Sequence, residues 1–223
     1  MKILKHQFWH LVFLTLSLVS VYWYIGKTPE VLDGAFLNLP TAVWLAIAII
    51  SSIAHQIYVL ICWRLELHRQ SISKSFGPKG FKFYKLGFAI LILSRVVTII
   101  ILAFSNNHTF NINTILHYTL IAVCLIPSAY LFYSVKKYFG MDRAFGIDHF
   151  QPDTYKDKPF IKRGIFKYTS NGMYIYGFLA LYLPGFLLQS KAAILVAVFN
   201  HTYIWVHYYF TELPDIKYIY RNN

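Results

Sequence analysis

Three clusters of polar and aromatic side chains stand out in a chain otherwise poor in charge. One reads Lys167-Tyr168-Thr169-Ser170-Asn171-Gly172-Met173-Tyr174. The second reads His207-Tyr208-Tyr209-Phe210-Thr211-Glu212-Leu213-Pro214-Asp215, and the third Asp142-Arg143-Ala144-Phe145-Gly146-Ile147-Asp148-His149. The first two clusters lie at the outer ends of two apolar stretches, 173–188 and 192–209, joined by almost no loop. A helical hairpin of that kind brings its two distant ends together, so residues about forty positions apart can line one pocket. Aromatic faces and a carboxylate stabilise a bound cation. A carboxylate or an imidazole placed beside a reacting group accepts a proton. Glu212, Asp148 and His149 are the candidate bases, and nothing in the sequence ranks the last two.

The elements that position these clusters are set by hydropathy. The chain of 223 residues is 57% hydrophobic, 19% aromatic and only 13% charged, where soluble domains carry about a quarter charged residues. A bilayer core is crossed by about 20 apolar residues in a helix. Six segments meet or approach that length: 8–25, 41–62, 86–104, 115–134, 173–188 and 192–209. The fifth is the weakest, being short and broken by Pro184-Gly185. None alternates as the strands of a membrane barrel do, so the expected fold is all-α, a polytopic bundle of about six helices with a C-terminal helical hairpin. The first run ends in Val21-Tyr22-Trp23-Tyr24 rather than in the small residues of a signal-peptide cleavage site, so it reads as a retained helix. The turn-rich stretch 71–80 marks a division between N-terminal helices with their basic loop (1–85) and a core carrying the site (86–223).

The net charge of +12 resolves into loops. Arg64, Arg69, Lys74, Lys79, Lys82 and Lys85 lie between the second and third segments. Lys136, Lys137, Arg143, Lys156, Lys158, Lys162, Arg163 and Lys167 lie between the fourth and fifth. Of the alternate loops, 26–40 has one Lys against Glu30 and Asp33, and 105–114 has no charged residue with His108 neutral. Positive loops stay cytoplasmic, which predicts an integral, multi-pass membrane protein with both termini and both basic loops on the cytoplasmic side. Topology accounts for the charge, so a nucleic-acid partner is not expected. The same loops can attract anionic headgroups. Cys62 and Cys124 fall inside apolar runs without a Cys-x-x-Cys spacing, and His55, His117, His201 and His207 lack metal-ligand spacing. No metal site is expected.

The run Gly164-Ile165-Phe166-Lys167-Tyr168 followed by Asn171-Gly172-Met173-Tyr174 resembles a segment of the integral-membrane methyltransferases, roughly Gly-x-[Tyr/Phe]-x-x-x-[His/Asn]-Pro-x-Tyr. That superfamily includes isoprenylcysteine carboxyl methyltransferases and phospholipid methyltransferases. Glu212 and Pro214, with Ile219-Tyr220 just after, are similar to the Glu-Glu-Pro segment of the phospholipid enzymes. Taken with 142–149, the pattern is closest to phosphatidylethanolamine N-methyltransferases over about residues 115–221. The chain departs from it where Gly172 replaces the proline, Tyr176 replaces a glycine and Leu213 replaces the second glutamate.

The resemblance implies S-adenosylmethionine as cofactor, bound at the cytoplasmic face by Tyr168, Asn171, Gly172, Tyr174, Tyr208 and Glu212. It implies a membrane lipid as substrate, with Arg143, His207 and Arg95 as candidate contacts. Phosphatidylethanolamine or its methylated intermediates would accept the methyl group on nitrogen. Carboxyl methylation of a prenylated cysteine or another lipophilic acceptor, and a non-catalytic protein retaining the fold, stay open. Asn171 also reads as an N-cap of the fifth helix. Arg95 stands mid-segment in LILSRVVTII with no acidic residue deep in any crossing. An intramembrane charge of that kind marks a functional or structural node, and its candidate partners are His55, Gln56, helix carbonyls or a lipid phosphate.

Overall fold

The computed structural model describes residues 3–220 and is almost entirely helical. Helix α1 covers Gln7–Lys27, and a two-residue-per-strand hairpin (β1 Ala35–Phe36, β2 Leu39–Pro40) leads into α2, Thr41–Arg69. Then follow α3 (Ser71–Phe76), α4 (Gly80–Ser105) and α5 (Thr114–Ser134), the last prolonged by a π-helical turn, Val135–Phe139. Three single-turn helices cross the next loop: α6 (Met141–Ala144), α7 (Ile147–Phe150) and α8 (Pro152–Tyr155). The C-terminal hairpin has one arm running 173–187, ending in α9 (Leu183–Leu187). The other arm is α10 (Lys191–His207), continued by a π turn, Tyr208–Glu212, and by α11 (Leu213–Ile219).

Among the described residues, four helical runs are long and apolar enough to cross a membrane: Gln7–Lys27, Thr41–Arg69, Ser71–Ser105 and Thr114–Phe139. In lipid every backbone N–H and C=O must be satisfied within the chain, which a helix does alone. Pro127 removes one such bond within α5, and the next residue, Ser128, returns its hydroxyl to the Cys124 carbonyl. The weak fifth segment is helical but irregular, passing from a π turn (Met173–Gly177) through a 3-10 stretch (Phe178–Tyr182) to α9, where Pro184 sits in the first turn. It is too short for a full crossing, and α10, although continued by its π turn and α11, is not among these four runs.

Helix α10 is the axis of the bundle. Ala192, Ala193, Val196, Ala197, Phe199 and Tyr203 are buried among Leu14 and Val21 of α1, Leu45, Ala48 and Ile49 of α2, and Ile99, Leu102 and Ala103 of α4. The small residues at 192, 193 and 197 let neighbouring backbones approach closely, which is how helices associate where no water drives them together. The N-terminal helices therefore pack directly on the C-terminal hairpin, across the boundary read from the 71–80 stretch. That stretch is itself helical apart from one 3-10 turn at Gly77–Lys79.

One asparagine fastens the end of the bundle away from the polar clusters. The Asn106 amide donates to the carbonyls of Glu30 (3.1 Å) and Asp33 (2.8 Å). Its oxygen accepts from Thr109 (3.0 Å), Ser190 (3.2 Å) and the Ala192 amide (2.9 Å). The other end gathers the start of α1, the end of α2, the start of α4, the end of α5 and both outer ends of the hairpin. Gln7 bonds the Phe210 carbonyl (3.0 Å), Lys85 pairs with Asp142 (2.7 Å), and Ser134 accepts from the Ile165 amide (3.1 Å). The basic residues cluster at this end.

Candidate active site

The antiparallel hairpin places Asn171 and Tyr174 against Tyr208 and Glu212. The Tyr174 and Tyr208 rings lie 5.0 Å apart, and Trp205 meets both, at 5.8 and 5.7 Å. The Tyr174 hydroxyl lies beside the Glu212 carboxyl, and the Asn171 amide lies beside the Tyr208 hydroxyl. Asn171 does not cap the following turn with its side chain; its carbonyl accepts the Tyr174 and Ile175 amides (3.0 and 3.1 Å). Gly172 opens the π turn where an added Cβ would press on Ile165 at 3.3 Å. The two π turns, one in each arm, sit at this junction, a placement often found where helices carry function.

Glu212 is partly buried, and among the described residues no Lys or Arg lies within salt-bridge distance of it. Burial lifts its carboxyl from 4.5 to about 7, against the opposing pull of the Tyr174 hydroxyl and the His149 ring. A carboxylate without its own cation, beside three aromatic rings, is suited to a small organic cation.

Asp148 and His149 are arranged differently. Both are buried on α7, and His149 Nδ1 donates to Asp148 at 3.1 Å while Nε2 lies 3.7 Å from Asp215. Trp63 of α2 stacks on the imidazole with centroids 4.0 Å apart. Burial alone would discharge this ring, but Asp148 and Asp215 outweigh it and raise the imidazolium to about 9. His149 is thus charged at neutral pH and has no lone pair to accept a proton. Burial pushes Asp148 up, but the His149 charge and the Tyr220 hydroxyl (3.1 Å) outweigh it and hold the carboxyl below its usual range. Arg64 completes this network. Its Nε is 2.9 Å from Asp215, with both side chains 2% exposed, and its Nη2 donates to the Thr211 carbonyl at 3.1 Å. The ion pairs lock α7 and α11 onto α2, behind the Glu212 carboxylate.

The remaining candidates lie apart from Glu212. Tyr168 is 75% exposed at the rim. Arg143 turns to Tyr220 (3.3 Å) and lies over the Phe139 ring. His207 is buried and faces His10 and Trp63, each with ring centroids 6.0 Å away. Arg95 is 1% exposed. Its Nε donates to Asn200 (2.9 Å), its Nη1 to His55 Nδ1 (2.9 Å), and its guanidinium lies over Phe178.

Arg64 and Trp63 were hidden in the sequence because Arg64 counts as one more basic loop residue. The available signal was the length of α2: buried positions 52, 55, 56, 59, 63 and 67 continue one helical stripe past Cys62. His10 and Tyr203, bonded at 3.1 Å across α1 and α10, left no signal beyond a histidine in an apolar run.

The fold and site together define a helical membrane protein with a carboxylate-and-tyrosine junction at its basic end. No protein-family model, no curated protein and no solved structure matches the chain.

Proposed function

We propose that the protein transfers a methyl group from S-adenosylmethionine to the amine of phosphatidylethanolamine or its methylated intermediates. The observation that carries this reading is the junction of Asn171 and Tyr174 with Tyr208 and Glu212, brought together from the two arms of the hairpin at the basic end of the bundle. The donor set fits the cofactor: one carboxylate with no Lys or Arg in salt-bridge distance among the described residues, aromatic faces for a sulfonium, and an amide for polar groups. When bound, S-adenosylmethionine supplies an electrophilic methyl group on a positively charged sulfur.

The protein's own groups supply position and proton acceptance. Tyr174 and Tyr208 orient the cation, and the Tyr174 hydroxyl fixes the rotamer of Glu212. A lipid ammonium must lose a proton before its nitrogen can attack, and a Glu212 carboxyl titrating at about 7 can accept that proton at neutral pH. A carboxylate acceptor needs no such base, which favours the amine over prenylcysteine. Asp148 and His149 act here as positioning residues, holding α7 behind Glu212. The basic end faces the cytoplasm in this reading, in accord with the charge asymmetry of the loops.

The test is transfer of label from methyl-labelled S-adenosylmethionine into extracted lipids by the purified protein, with a prenylcysteine analogue in a parallel reaction. Labelled methylated phosphatidylethanolamine is expected, with turnover about 10²-fold lower for Glu212→Gln. Label in the prenylcysteine analogue alone, or cofactor binding absent by calorimetry, would overturn the reading.

A further inference from the structure

A polar seam runs between α2, α4 and α10, beside the junction but separate from it. Helical spacing builds it. His55, Val59 and Trp63 share one face of α2; Tyr84, Phe88 and Arg95 share one face of α4; Asn200, Tyr203 and His207 share one face of α10. Phe88 packs on His55 at 4.5 Å, and Trp63 lies 6.0 Å from His207, so the three faces meet.

Several buried polar atoms in this seam have no hydrogen-bond partner: His55 Nε2, Trp63 Nε1, the Tyr84 hydroxyl and both ring nitrogens of His207. Leaving such a group unsatisfied is destabilising. Their chemistry is one-sided. A guanidinium only donates, so the Arg95 bond to His55 Nδ1 puts the His55 proton on Nε2. Indole Nε1 only donates as well, and it approaches the Tyr84 hydroxyl without reaching hydrogen-bond geometry. His207 contributes at least one further N–H. Donors therefore outnumber acceptors.

The charges lean the same way. Asp215 is matched by Arg64 and Asp148 by His149, while Glu212 stands toward the Tyr84 end, away from Arg95. Arg95 is bonded only to neutral Asn200 and His55, and no carboxylate among the described residues lies within salt-bridge distance of it. A buried cation with neutral partners only is costly in a low-dielectric interior.

We infer that this seam binds an anionic oxygen group, a phosphate, drawn to the positive charge of Arg95 and held by the N–H and O–H donors of His55, Trp63, Tyr84 and His207. A phospholipid headgroup and free phosphate share this chemistry. If the methyl acceptor is a phospholipid, its phosphate would rest here while its amine reaches Glu212, but the site does not depend on that reading.

The experiment is equilibrium binding to the full-length protein in maltoside detergent without S-adenosylmethionine, so its outcome is independent of methyl transfer. The probes are dihexanoyl phosphatidic acid, sodium phosphate and, as the uncharged control, dihexanoyl glycerol. Saturable binding of the phosphatidic acid but not the control is expected, weakened about tenfold by Tyr84→Phe, which removes one donor and keeps the ring, and by Trp63→Phe, which removes one donor and keeps an aromatic side chain. Equal binding of sodium phosphate would support the site and assign its ligand to solution. Binding of neither phosphate probe, or affinities unchanged in both variants, would overturn the inference.

Discussion

Glu212 shows how burial without a basic partner prepares a carboxyl group to change charge near neutral pH. Its folded value of about 7 stands above its ordinary 4.5 because burial disfavours the ion. The sign of the stability effect follows. Across the window from 4.5 to about 7 the folded chain holds a proton that the unfolded chain has released, so this group removes stability as pH rises through it. A bound cation favours the ionised form. Calorimetry between about pH 5.5 and 8.5 should therefore show S-adenosylmethionine affinity rising with pH, and Glu212→Gln should bind weakly with a flat profile. A wild-type affinity independent of pH would remove Glu212 from the cation site.

The neighbouring network also loses stability as pH rises, in a higher window and because its charged form is the stabilised one. His149 titrates at about 9 when folded, against 6.5 unfolded, so its stabilisation is complete below 6.5 and is lost as pH rises through 9. Asp215 carries both Arg64 and His149 in that network. Asp215→Asn removes this carboxylate from the buried guanidinium and should cost about 3–5 kcal/mol, measured by denaturant unfolding in mixed micelles. A loss below about 1 kcal/mol would mean that the pair is offset almost entirely by its desolvation.

Among the elements, α7 depends on the close approach of Gly146 to α2. Gly146 holds φ at +82°, and an added Cβ would fall 2.5 Å from Trp63 Cζ2. Gly146→Ala must therefore move the indole that stacks on His149. It should lower stability by about 1–3 kcal/mol, and indole fluorescence should report a changed Trp63 environment. Unchanged stability would mean that α7 shifts freely on α2. Helix positions were legible because lipid imposes a simple rule: Thr41 and Ile115 open apolar runs whose helices begin at Thr41 and Thr114. The ends of those helices were less legible. Helix α2 runs seven residues past Cys62 to Arg69, carrying Trp63 and Arg64 into the interior, where a charged side chain reads as surface until its partner is known. The π turns at 173–177 and 208–212 leave no periodicity signal at all.

For the whole molecule, the hairpin's juxtaposition of 171–174 with 207–212 was readable because two apolar stretches with almost no loop between them must run antiparallel. The packing of α1 and α2 onto α10 was not, because it rests on small residues at 192, 193 and 197 whose spacing also suits many other arrangements. Asn106 is indistinguishable in sequence from Asn107 beside it, yet it ties Glu30, Asp33, Thr109, Ser190 and Ala192 into one knot. Long-range polar satisfaction of that kind depends on the assembled bundle and has no local signature.

The abbreviated arm at 173–187 has a consequence for the surrounding bilayer. Fifteen residues of ideal helix extend about 22 Å, well short of the roughly 30 Å of hydrocarbon around them. On that flank the leaflets must pinch inward or the headgroups must dip, a hydrophobic mismatch that favours residence in thinner membranes. The same dimple shortens the climb of a lipid headgroup toward the tyrosines at the arm's outer end.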